Sequence, residues 1–122
     1  MKKLFISVPM KGRTQEAIEY SMQKMKKIAE AVFEEELEVI ETYNAGNEGE
    51  NPLVCLGQSI ALMADADYFI GILEYGLPYY RGCAIEAMVA GQYDIDKYLV
   101  PGDILFLPDE FVCEVEDVYE DM

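Results

Sequence analysis

The chain predicts an α/β fold: three layers, with a parallel sheet of four to five strands between helices. Three observations carry that prediction. Short, nearly unbroken apolar runs of strand length are separated by longer segments whose apolar residues recur at helical spacing. The runs do not alternate with polar residues, so both faces of each strand are expected to be covered. Strand and helix alternate along the chain, which predicts right-handed crossovers and a parallel sheet.

Leu4-Phe5-Ile6-Ser7-Val8, closed by Pro9, reads as the first strand. After the turn Met10-Lys11-Gly12-Arg13, Thr14 caps a helix running to about residue 36, with Ile18, Met22, Met25, Ala29 and Val32 on one face. Glu38-Val39-Ile40-Glu41 is a second short strand, and residues 44–51 form a polar loop. Asn51 and Pro52 supply an N-cap and a first-turn proline for a second helix, in which Leu53, Leu56, Ile60 and Met63 repeat, ending near Asp65. Tyr68-Phe69-Ile70-Gly71-Ile72-Leu73 is a third strand. A third helix follows from Gly82 to about Tyr93, with Ile85, Met88 and Val89 turned to the core. Leu99-Val100 and Ile104-Leu105-Phe106-Leu107 offer one or two further strands around Pro101-Gly102.

At 122 residues, 52% hydrophobic and 27% charged, this is one compact domain, assigned to residues 1–108, followed by an acidic flank at 109–122. Nine basic against twenty-four acidic residues give a net charge of −15, which argues against duplex or long single-stranded nucleic acid as a partner. Seven of the nine cations precede residue 28, so Arg81 and Lys97 stand out as possible anion contacts in the remainder. No run approaches the roughly 18 to 20 apolar residues of a membrane span. Met1-Lys2-Lys3 leads into an apolar stretch too short for a secretory signal, and the expectation is a cytoplasmic protein without a membrane partner. Cys55, Cys83 and Cys113 are widely spaced and the chain has no histidine, so zinc sites, disulfide scaffolds and histidine-dependent triads are disfavoured. Catalysis would run on carboxylates, tyrosines, hydroxyls or backbone dipoles. No metal or cofactor is expected.

In an open parallel sheet, ligands bind beyond the carboxyl ends of the strands where the strand order reverses. Two stretches fall there: Ser7-Val8-Pro9-Met10-Lys11-Gly12-Arg13, and the segment from Glu74 to Glu86. In the second, Gly82 allows a tight turn into the helix, and Glu86 lies about one turn in, where the helix N-terminus would hold its carboxylate ionised, as a nucleophile needs. A glutamate that merely improves the helix dipole is the competing reading. Tyr75, Tyr79 and Tyr80 can stack on a planar base or pack on one another. Arg81 can fork onto a phosphate or carboxylate, or pair with a surface acid. The first loop can hold a sugar hydroxyl or phosphate, although it is neither a dinucleotide fingerprint nor a P-loop. Asp65 and Asp67 sit at the opposite end and read as capping residues.

These residues resemble the nucleoside 2-deoxyribosyltransferase superfamily, most closely its small bacterial and phage-associated branch. The likeness spans roughly residues 3 to 97. It is carried by Leu4-Phe5-Ile6-Ser7-Val8-Pro9-Met10, by Leu56-Gly57-Gln58-Ser59-Ile60 with residues 64–68, and above all by Arg81-Gly82-Cys83-Ala84-Ile85-Glu86 followed by Ala90 and Tyr93. The resemblance implies a flavodoxin-like (Rossmann-like) fold that cleaves or transfers the N-glycosidic bond of a deoxynucleoside or its 5′-monophosphate. It implies a glutamate nucleophile at Glu86. Substrate contacts are then expected from Phe5, Ser7, Pro9, Met10, Lys11, Gly12, Arg13, Ser59, Glu74, Tyr79, Tyr80, Arg81 and Gly82. The sequence departs from the family pattern at Phe5, where the active enzymes commonly carry a tyrosine that hydrogen-bonds the nucleophile, and at Ser59, where they carry an aspartate that assists base protonation. Glu74 or one of Tyr75, Tyr79 and Tyr80 is the candidate replacement acid. By analogy the partner is a small nucleoside or nucleotide, with Lys11, Arg13 and Arg81 leaning toward a phosphate, and the protein is a homo-oligomer, a dimer or higher. The alternatives are a non-catalytic nucleotide-binding module of the same fold and a flavin-binding electron carrier. The first loop lacks the Ser/Thr-rich phosphate site of such carriers, which disfavours the last.

Overall fold

The computed structural model describes residues 1–9, 13–41, 51–73, 81–101 and 104. Its elements run β1 (Lys2–Ile6), α1 (Gln15–Phe33), β2 (Leu37–Val39), α2 (Pro52–Met63), β3 (Tyr68–Ile72), α3 (Arg81–Gln92) and β4 (Asp96–Val100). All strand pairs are parallel and the sheet order is β2-β1-β3-β4, an open sheet of flavodoxin-like type. The expected polar loop at 44–50, a strand over residues 105–107 and the acidic flank lie outside the described residues.

Strand alternation builds two cores. Leu4, Ile6 and Val8 pack with Ile18, Met25 and Ala29 of α1 and with Ile70 and Ile72. On the other face, Phe5 and Phe69, register partners in the sheet, stack with centroids 5.6 Å apart and pack with Met63 of α2 and Ala87 and Ala90 of α3. Each ring buried there contributes roughly 1.5–3 kcal/mol. Gly71 makes this stack possible. A Cβ at that position would lie 2.7 Å from the Phe69 ring.

The caps are as expected: Thr14 Oγ1 accepts from Ala17 N at 3.1 Å, and Asn51 Oδ1 from Leu53 N at 2.8 Å. Several facing assignments are corrected. Helix α1 stops at Phe33 because Glu34 adopts left-handed backbone at φ 57°, and Val32 is exposed while Ala17 and Ser21 join the buried face. In α3 the buried residues are Cys83, Glu86, Ala87 and Ala90, with Met88 out in solvent. Small side chains let the helix sit close on the Phe5–Phe69 layer; Val89 packs partly buried against that cluster, as expected, and Ile85 is half-buried. Of the apolar repeat in α2 only Met63 is fully buried, and Leu53 is 74% exposed.

Asp67 belongs to the far end of the sheet: its carboxylate accepts from Lys3 N at 2.8 Å and its own N–H donates to Lys3 O at 2.9 Å. Lys97 lies near that end too, donating to Ala87 O at 3.2 Å.

Candidate functional site

The sheet order makes β1 and β3 neighbours, while α1 leaves β1 toward one face and α3 packs on the other. The carboxyl ends of these two strands are the switch point of the fold, where open α/β sheets bind ligands. Ser7 is the first residue past β1 and stays tied to the sheet by its N–H, which donates to Ile70 O at 2.9 Å. Alternation along β1 puts Ser7 on the Phe5 face, toward α3. There its hydroxyl donates to Glu86 Oε1 at 2.6 Å. Both groups are buried, Ser7 being 1% and Glu86 8% exposed. Two residues 79 apart in the chain thus form one buried polar pair at the ligand edge.

Burial pushes the Glu86 carboxyl up from its ordinary value to about 7, against the opposing pull of the Ser7 hydrogen bond. The expectation of a carboxylate kept ionised by the helix terminus is therefore corrected. Because α3 starts at Arg81, Glu86 is already in its second turn, and the dipole falls off within the first. Desolvation wins, and the group is poised between its two forms at neutral pH. Cys83, one turn earlier on the same buried face, hydrogen-bonds Ser7, and burial drives its thiol to about 12, so it keeps its proton. Arg13 acts on that thiol electrostatically and in the opposite direction.

No family model, curated protein or solved structure matches this chain. The site therefore rests on its own geometry.

Of the residues the sequence singled out, the structure brings Ser7 and Glu86 together. Phe5 lies two residues before Ser7 on the same face of β1, fully buried against Phe69. Pro9 is buried and Ser59, on α2, is half-buried. Gly82 has ordinary helical backbone, and a Cβ there would meet Leu56 Cδ1 at 3.9 Å, so neither the turn nor the space demands a glycine. Arg13 ties down its own segment: its guanidinium donates to Pro9 O at 2.8 Å, Ala17 O at 3.2 Å and Ser21 Oγ at 2.7 Å. That bracing role weakens the expectation of a phosphate fork at this position. Met10, Lys11, Gly12, Glu74, Tyr75, Tyr79, Tyr80 and the Arg81 side chain lie outside the described residues.

The sequence reading missed Cys83 as a neighbour of the pair and Ser21 as the anchor of Arg13. For Cys83 the signal was available, since it and Glu86 are three apart on one helix. Among the described residues no group of three or more acidic, cysteine or histidine side chains is placed to hold a metal ion, and no helix is long and apolar enough to cross a membrane.

Proposed function

We propose that this protein is a nucleoside 2-deoxyribosyltransferase-like enzyme that cleaves or transfers the N-glycosidic bond of a deoxynucleoside or its 5′-monophosphate, with Glu86 as the nucleophile. The observation that carries the reading is the buried Ser7–Glu86 hydrogen bond at the carboxyl edge between β1 and β3. A carboxyl group taken out of water at a ligand edge is destabilising, and function is the usual reason for keeping one.

In the reaction, an ionised Glu86 oxygen attacks the anomeric carbon as the carbon–nitrogen bond breaks, its electron pair leaving on the base, which takes up a proton. Water or the ring nitrogen of a second base then attacks the same carbon, loses a proton and regenerates the carboxylate. Glu74 or one of Tyr75, Tyr79 and Tyr80 supplies the proton to the leaving base in this reading. The chain acts as a homo-oligomer, a reading supported by α2, which carries no charged residue and leaves Leu53, Val54 and Leu62 exposed, with Met88 of α3 also exposed. Such a helix is a natural meeting surface for chains of net charge −15.

A second reading, a nucleotide-binding module without turnover, is favoured by one observation: Phe5 is core, with no hydroxyl to offer. One experiment separates the two. Free base is measured chromatographically after incubation with pooled deoxynucleosides and their 5′-monophosphates, with and without an acceptor base, beside Glu86→Ala. Release is expected, is lost in Glu86→Ala, and rises with pH to half its plateau near 7 as Glu86 ionises. Ligand-induced thermal stabilisation without release would make the module the correct reading.

A further inference from the structure

We propose that Ser7 is the positioning residue of this site: its hydroxyl, on the Phe5 face of β1, grips Glu86 Oε1 and leaves Oε2 as the oxygen that attacks. The inference deepens the glycosidic reading, but its physical core, a hydroxyl holding a buried carboxylate, stands without it.

Three observations carry it. The 2.6 Å separation is that of a charge-assisted O–H···O bond. Ser7 is nearly inaccessible and its backbone is fastened to Ile70, so the donor is rigid and poorly placed to touch a ligand itself. Among the described residues Ser7 makes the one hydrogen bond to the Glu86 side chain, and it holds Oε1.

Cys83 is the other neighbour of the Ser7 hydroxyl, and burial keeps its thiol protonated, so it brings no second negative charge to the pair. The other charged or titratable groups around the pair are few. Arg13 faces Cys83 from the β1–α1 connection. Helix α2 contributes only Cys55 as a titratable group, and β3 only Tyr68, at its far end and bonded to Glu35.

The test is a carbon-13 NMR titration of the Glu86 side-chain carboxyl, assigned by its absence in Glu86→Gln, in wild type, Ser7→Ala and Ser7→Thr. Losing the donor raises the midpoint by about one pH unit in Ser7→Ala, and Ser7→Thr, which keeps a hydroxyl, returns it toward wild type. An unchanged midpoint in a folded Ser7→Ala protein overturns the proposal. This readout needs no turnover, so it can succeed or fail independently of the proposed activity. Where base release is measurable, Ser7→Ala loses about fivefold at pH 7 and regains it above about pH 9, because only the ionised fraction has changed. A loss of equal size at every pH would instead make Ser7 a substrate contact and refute the positioning role.

Discussion

Replacing Glu86 with glutamine should make the protein more stable, and only at neutral and alkaline pH. In the unfolded chain this carboxyl ionises near 4.5, whereas in the fold burial holds it to about 7. Between those values the unfolded chain gives up a proton that the native state keeps, so each step up in pH favours unfolding. Below 4.5 both states are protonated and the group imposes no penalty. Above 7 the penalty is complete, and at about 1.4 kcal/mol per pH unit it amounts to about 3 kcal/mol. Glutamine has the shape of the protonated acid and can still accept from Ser7, but it never ionises. Thermal unfolding of wild type and Glu86→Gln, followed by circular dichroism at pH 5, 6, 7 and 8, isolates this one group from the other carboxylates. The variant should gain about 3 kcal/mol at pH 8, roughly 10 °C in Tm for a domain of this size, and under about 1 kcal/mol at pH 5. Parallel curves, or a variant less stable than wild type at pH 8, would show that Glu86 is not a strained buried acid and would remove the physical basis of the site.

Two further outcomes follow from the packing. Gly71→Ala drives a methyl into the Phe69 ring, and urea denaturation should show a loss of about 1–3 kcal/mol with the same cooperativity; an unaffected midpoint would mean that the aromatic stack is looser than its contacts imply. Leu53→Glu on the exposed face of α2 should leave the fold intact and reduce the assembly toward monomers in light scattering; a wild-type protein already monomeric would end the homo-oligomer reading.

The legible part of the molecule was its alternation. Unbroken apolar runs at Leu4, Tyr68 and Leu99, the Thr14 and Asn51–Pro52 helix starts, and the order of elements were enough to place a parallel sheet and to direct attention to the ends of its first and third strands, because period and capping are local properties of a chain. The sequence also singled out Glu86 and Ser7, though as a nucleophile and a substrate contact. Their joining was a tertiary event. It depends on β1 and β3 being neighbours and on the depth to which Ala87 and Ala90 let α3 settle on Phe5 and Phe69. The same settling decided the state of Glu86. From spacing alone a glutamate near a helix start reads as ionised, since the backbone dipole is all that a local view contains. Desolvation depends on what the rest of the chain brings to cover the group, and here that cover outweighs the dipole. Residue order thus determined the architecture and the candidates, and the packed fold determined that, among the described residues, Glu86 is the carboxyl that is buried, gripped by a serine and raised to about 7.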